Sequence, residues 1–219
     1  MGFDSRNRPM SKENVTKLGA TRGSAQVTAR ILDAAQAEFM AVGYERANTN
    51  RIAADYGISK ATIFRHYRSK LELFEAVVQR IAMRWDQDLM IEDAASLSPE
   101  AWLCQFAQAA LRWVLSREAL FVGRMAIAEG AVLQDIRDVW PRFATQPILA
   151  TLSAQFAIWQ EQGLLAPMDS GNLAQAFLDL LLAGRVTRAM YAYDLATDFP
   201  VEDKEVAFCV RLFLKGCAA

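Results

Sequence analysis

The stretch GISKATIFRHY, residues 57–67, sets a glycine ahead of a hydroxyl, a cation, an Ala-Thr pair and the one histidine of the chain. A lone histidine beside hydroxyls raises the question of acid–base chemistry, because imidazole changes charge near neutral pH. That chemistry needs a nucleophile, an orienting carboxylate or a metal set within reach, and the sequence shows none. No Gly-x-Ser-x-Gly elbow and no glycine-rich phosphate loop occurs, and Cys104, Cys209 and Cys217 are odd in number and lack the paired spacing of a zinc site or a disulfide framework. Carboxylates such as Glu129 and Asp135 read as surface or capping groups. The expectation is no catalytic residue, no metal and no cofactor.

The same residues suit a different chemistry. On a helix at ~100° per residue, Ile63 and Tyr67 share one side and Ala61, Thr62 and Arg65 lie opposite, with Lys60 and Phe64 bordering that arc on one flank and His66 on the other. A face of small, hydroxyl and cationic side chains lets a backbone approach base edges in a DNA major groove. There threonine offers a methyl or a hydroxyl, and lysine or arginine pairs with guanine or phosphate.

Local signals define the elements that would hold this face. Ile31, Leu32, Ala34, Ala35 and Phe39 form an amphipathic stripe that ends at Gly43, and Asn48 caps a short helix with Ile52, Ala53 and Tyr56 on its apolar side. Gly57 stops that helix and Ser59 caps the next, giving a helix-turn-helix. Ser69 opens a longer helix carrying Leu71, Phe74, Val77, Val78 and Ile81.

The run GYERANTNRIAADYGISKATIFRHYRSKLELF, residues 43–74, resembles the DNA-binding domain of TetR-type transcriptional regulators, and the resemblance covers about 50 residues from Ala29 to Val78. It implies an all-α fold: an N-terminal three-helix helix-turn-helix DNA-binding domain, followed by a C-terminal helical ligand-binding and dimerisation domain. By position it implies that Lys60, Ala61 and Thr62 enter the groove with Asn50 nearby, and that Asn48, Thr49, Arg65, His66 and Lys70 touch phosphates. Phe64 departs from the usual tyrosine and loses its hydroxyl, leaving packing against sugar or a thymine methyl; Thr49 departs from a more usual aliphatic residue.

Charge divides along the chain in the same sense. Residues 1–80 hold 13 Lys and Arg against 8 acids, and residues 81–219 hold 11 against 17: a basic head for a polyanion and a body that stays off it. Domain limits are expected at 1–23 for a flexible basic arm, 24–69 for the helix-turn-helix and 70–219 for the body. The N-terminus has no apolar stretch behind its charges, so no signal peptide or membrane anchor is expected, and unpaired cysteines fit a reducing cytoplasm.

In the body, helix-length apolar segments are expected at 99–116, 118–129, 131–139, 142–163, 171–193 and 201–216, with none of the period-2 alternation of strands. The resemblance implies a homodimer through the two penultimate long helices, by Phe143, Leu149, Leu152, Phe156 and Trp159 on one and Phe177, Leu178, Leu181 and Leu182 on the other. It implies a pseudopalindromic double-stranded operator, with repression the usual outcome and activation the other. It also implies an apolar or aromatic small-molecule ligand. Trp102, Phe106, Trp113, Phe121 and Met125 are the candidates to line its pocket, core packing being the alternative. A helical interaction module without DNA binding is the competing function; the charge split and the Lys60-Ala61-Thr62 face speak against it.

Overall fold

The computed structural model describes residues 12–88, 91, 96–130, 138–191 and 201–218 of the 219. The chain divides into two units between Phe74 and Glu75. In the first, α1 (Lys12–Arg46) carries a buried stripe of Ile31, Leu32, Ala34, Ala35 and Phe39. Its helical backbone is broken at Gly43, where φ is +80° and ψ 173°, a region essentially confined to glycine that costs a residue with a Cβ roughly 1–3 kcal/mol. The arm expected over 1–23 lies outside the described residues up to position 11, and from Lys12 the backbone is helical and continuous with α1.

Helix α2 (Thr49–Asp55) buries Ile52, α3 (Lys60–His66) buries Ile63, and the start of α4 (Lys70–Asp88) buries Leu73 and Phe74. Phe39, Tyr44 and Phe74 close this small core as a ring cluster with centroids 5.2–5.9 Å apart. Each such buried side chain contributes about 1.5–3 kcal/mol. Ser69 accepts from the Glu72 N–H at 3.0 Å while the Glu72 carboxylate accepts from the Arg68 N–H at 2.7 Å, a reciprocal cap that starts α4 where the sequence places it.

The second unit contains the rest of α4, α5 (Pro99–Val114), α6 (Arg117–Gly130), α7 (Gln146–Glu161), α8 (Ser170–Tyr191) and α9 (Asp203–Gly216). Ser98 caps α5 by accepting from the Ala101 N–H, with Pro99 in the first turn where no N–H is needed. Residues 131–137 of the helix expected at 131–139 lie outside the described residues. Residues 138–140 are helical and pass through one π-helical turn, Pro141–Thr145, into α7. The segment expected at 142–163 is thus helical through to Glu161, with its first turn π-helical after Pro141, which lacks a backbone donor.

Six of the nine residues expected at the dimer interface, Leu152, Phe156, Trp159, Phe177, Leu178 and Leu181, are instead 0–4% exposed within the single chain. Phe143, Leu149 and Leu182 are partly buried against the same cluster. An apolar stripe states that something must cover it, not what. Here α7 and α8 pack on each other, and α9 packs on both α8 and α5, so the inner faces are filled by Phe213, Val206 and Val210 of α9 and Trp102 and Phe106 of α5. Trp102 stacks on Phe106 at 5.1 Å and meets the Trp159 ring edge-on at 5.5 Å. A ligand reaching Trp102 or Phe106 would have to displace packed rings. Trp113 is equally committed: it stacks on Trp140 and donates its indole N–H to the Ile81 carbonyl at 3.2 Å. Met125 is buried and Phe121 half-buried, both on α6.

Candidate nucleic-acid interface

The turn between α2 and α3 is built from backbone requirements alone. Gly57 has φ +60°, and the Ile58 N–H donates to the Ala53 carbonyl at 2.9 Å, so the chain reverses within three residues. Ser59 then accepts from the Thr62 N–H at 3.0 Å and lies 2.8 Å from the Thr62 hydroxyl, fixing the first turn of α3. With Ile63 anchored at 1% exposure, the helix presents Lys60, Ala61, Phe64 and Arg65 to solvent and leaves Thr62 and His66 half-buried at the edges. Lys60 Nζ sits 5.7 Å from the Phe64 ring centroid, so the exposed ring carries a cation over its face.

Asn48 and Asn50 are exposed at the start of α2, and Thr49 is half-buried. The Asn48 side-chain oxygen accepts from the Asn50 N–H at 2.8 Å, which turns its amide NH2 outward. Beneath this cap lies a residue that the sequence reading misses. Glu38 on α1 is buried, and its carboxylate accepts from the Asn48 N–H at 2.9 Å and from both the Nε (2.8 Å) and Nη2 of Arg51. The Arg51 guanidinium, followed by the Asn48 N–H, holds the Glu38 carboxyl below the usual carboxylate range, against an opposing desolvation. The available signal was an acid on the inward arc, four residues after Ala34.

A carboxyl whose pKa is lowered on folding stabilises the folded state above its unfolded pKa of ~4.3, and that stability is lost as the pH falls through the lower folded value. Glu38→Gln is therefore expected to cost about 1–3 kcal/mol at pH 7, by leaving buried donors poorly matched. The melting temperatures of variant and parent should converge as the pH falls below ~4.3 and on through the lower folded value. Parallel curves across that interval would show that the pair carries no linkage.

Lys70 does more than offer a charge at the head of α4. Its Nζ donates to the carbonyls of Glu45 at 2.9 Å and Ala47 at 3.3 Å and sits 4.6 Å over the Tyr44 ring, tying the segment after Gly43 to α4. His66 Nδ1 lies 3.3 Å from the Thr28 hydroxyl on α1. The expected contact residues thus lie at the α2 N-terminus, along α3 and at the start of α4. Among the described residues no cluster of three His, Cys, Asp or Glu could hold a metal, and burial pushes the Cys104 and Cys217 thiols up, away from a reactive thiolate. Among them no helix is long and apolar enough to cross a membrane.

Residues 31–77 match the model of the bacterial regulatory proteins of the tetR family, and residues 101–217, more than half the chain, match the C-terminal domain of AefR-like transcriptional repressors. The chain belongs to the TetR family. This TetR-family regulator is 29% identical over 151 residues to the HTH-type transcriptional regulator SrpR of Pseudomonas putida, covering 62% of this chain and 70% of that protein. A shorter match, 46% identical over 39 residues, links 18% of the chain to 20% of the nucleoid occlusion factor SlmA of Pasteurella multocida. The crystal structure of a TetR family regulator from Pseudomonas syringae pv. tomato superposes with a TM-score of 0.68 at 26% identity, over 87% of this chain and 96% of that one. An all-α regulator with an N-terminal helix-turn-helix and a DNA-binding role is thereby established; Lys60, Ala61, Phe64 and Arg65 are the α3 side chains it leaves in solvent.

Proposed function

We propose that this TetR-family regulator binds a pseudopalindromic operator as a homodimer, represses by occluding a promoter, and is released by an apolar or aromatic small molecule taken up by the body. The observation that carries the DNA reading is the division of α3, with Ile63 at 1% exposure beneath and Lys60, Ala61 and Arg65 exposed above. One seven-residue helix reads only a few base pairs, so useful specificity calls for two copies on half-sites ~34–36 Å apart or a multiple of that. Selection of bound duplexes from a random pool tests this: an enriched inverted repeat supports the reading, and a recovered pool without enrichment removes it. Adding candidate aromatic ligands to the bound duplex then tests release.

Since the inner faces of α7 and α8 are spent on the core, the dimer reading moves to their outer residues. These are Ala154 and Ile158 on α7 and Ala176, Leu180 and Gly184 on α8, all exposed. Leu180, at 40% exposure, tolerates a polar replacement in the lone chain. Leu180→Asp is expected to shift sedimentation from dimer to monomer at micromolar concentration while far-ultraviolet circular dichroism stays unchanged; a variant that still sediments as a dimer would place the interface elsewhere. For the ligand, Phe121 and Met125 of α6 are the lining candidates, because Trp102, Phe106 and Trp113 already have packed partners.

A further inference from the structure

The contact between α1 and α3 bears on where the proton of the chain's one histidine sits. Thr28 Oγ1 lies 3.0 Å from the Ser24 carbonyl and 3.3 Å from His66 Nδ1. A hydroxyl has one proton, and the shorter of the two Thr28 contacts is to the Ser24 carbonyl, which can only accept; this favours the Thr28 proton on Ser24. With it there, the Thr28 oxygen is an acceptor for the ring, and His66 Nδ1 carries the hydrogen. In a neutral imidazole this leaves Nε2, on the other edge of the ring, with a bare lone pair.

We infer that DNA binding by this regulator is linked to uptake of a proton at His66, with Thr28 as the positioning residue that creates the linkage. The inference rests on the DNA reading above, in which His66 is a phosphate contact. A phosphate oxygen is an acceptor, and the neutral Thr28-locked ring offers it a second acceptor. Once protonated, Nε2 becomes a charged donor, and the same ring position makes a charge-assisted hydrogen bond. The phosphate therefore favours the imidazolium, and affinity rises as the pH falls. The sign is fixed by the Thr28 hydrogen bond: a ring with Nε2–H could donate to phosphate without taking up a proton.

The ring meets Thr28 on α1 and Tyr67; the charged groups of these segments are Arg65 and Arg68 on its own stretch and Arg30 on α1, which donates to the Tyr56 carbonyl, and the Arg68 N–H is taken up by Glu72 at the start of α4. Lys70, also on α4, is held by the Glu45 and Ala47 carbonyls. Arginine, lysine and glutamate side chains ordinarily keep one charge between pH 5.5 and 8, so these neighbours add no pH dependence of their own in that window.

The test is fluorescence anisotropy with the tightest duplex recovered from selection, and with a random duplex of the same length, from pH 8 to 5.5 at constant ionic strength. The parent should gain affinity for both as the pH falls, by up to ~10-fold per pH unit for each bound head, the limit for one proton. Thr28→Val frees Nδ1 from its acceptor and lets the ring take the Nε2–H form. It should bind more tightly than the parent at pH 8 and lose most of the slope, and His66→Gln, a donor at every pH, should be flat. Because the chain has a single histidine, 15N chemical shifts of the free protein report its tautomer without ambiguity; Nδ1–H is expected at pH 8. A flat parent profile, a Thr28→Val variant weakened equally at all pH values, or an Nε2–H tautomer would each overturn the inference while leaving specific DNA binding intact. Absence of binding to any duplex at any pH would instead remove the DNA reading and this inference together.

Discussion

Phe156→Ala should lower the stability of the body by about 3–5 kcal/mol, whatever the protein concentration. Phe156 is 0% exposed, and its ring meets Phe213 at 5.4 Å, Trp159 at 5.8 Å and Phe177 at 6.3 Å, so truncation opens a cavity bounded by three rigid rings on three helices. Such a site collapses poorly, which favours the upper part of the range. Against a typical total of 5–15 kcal/mol the loss is severe, and at ~2–4 °C per kcal/mol for a chain of this size the melting temperature should fall by roughly 6–20 °C. The concentration series decides between core and interface. If Phe156 acted between two chains, its loss would appear chiefly as weaker association, and the deficit in melting temperature would change with protein concentration. A core residue gives the same deficit in dilute and concentrated samples, and a concentration-dependent one would contradict the burial.

That distinction also shows where sequence reasoning holds and where it stops. The head was legible because its signals are local: Gly57 needs a positive φ, Ser59 and Asn48 cap the helices that begin just after them, and Ile63 faces inward by helical period. Each is decided within four residues of itself. In the body the apolar stripes of α7 and α8 were legible as stripes. Their covering partners, α5 and α9, are set by tertiary packing that no local period encodes, and the inner faces were assigned to a second chain as a result. Glu38 illustrates the same limit for polar groups. An acid on a buried arc must find a cation or several donors, yet Arg30 before it and Arg46 and Arg51 after it all stand at plausible spacing, and only the fold selects Arg51. Lys70 shows the converse, a cation read as a phosphate ligand whose ammonium is also spent on two carbonyls and a tyrosine face.

Ala61→Glu should separate folding from DNA binding more sharply than any other single change. Ala61 is exposed on α3, one residue after its first helical position, and glutamate is a good helix former whose charge is favoured near a helix N-terminus. The variant should therefore melt within about 0.5 kcal/mol of the parent, as surface substitutions usually do. If α3 enters the groove as proposed, the same carboxylate replaces a methyl between Lys60 and Thr62 and faces phosphates and base-edge acceptors there. An unfavourable contact of this kind costs about 1–3 kcal/mol per half-site, and two heads double it, so affinity for every duplex should fall by at least ~30-fold. Thr62→Val, by contrast, keeps the methyl and removes the hydroxyl, so it should re-rank duplexes against one another by ~1–3 kcal/mol at one base step of each half-site rather than weaken them all. Anisotropy with the selected duplex and with single-step variants of it resolves the two patterns. Should Ala61→Glu bind normally while fully folded, α3 would not be the element in the groove, and the reading would pass to the exposed Asn48 and Asn50 at the head of α2.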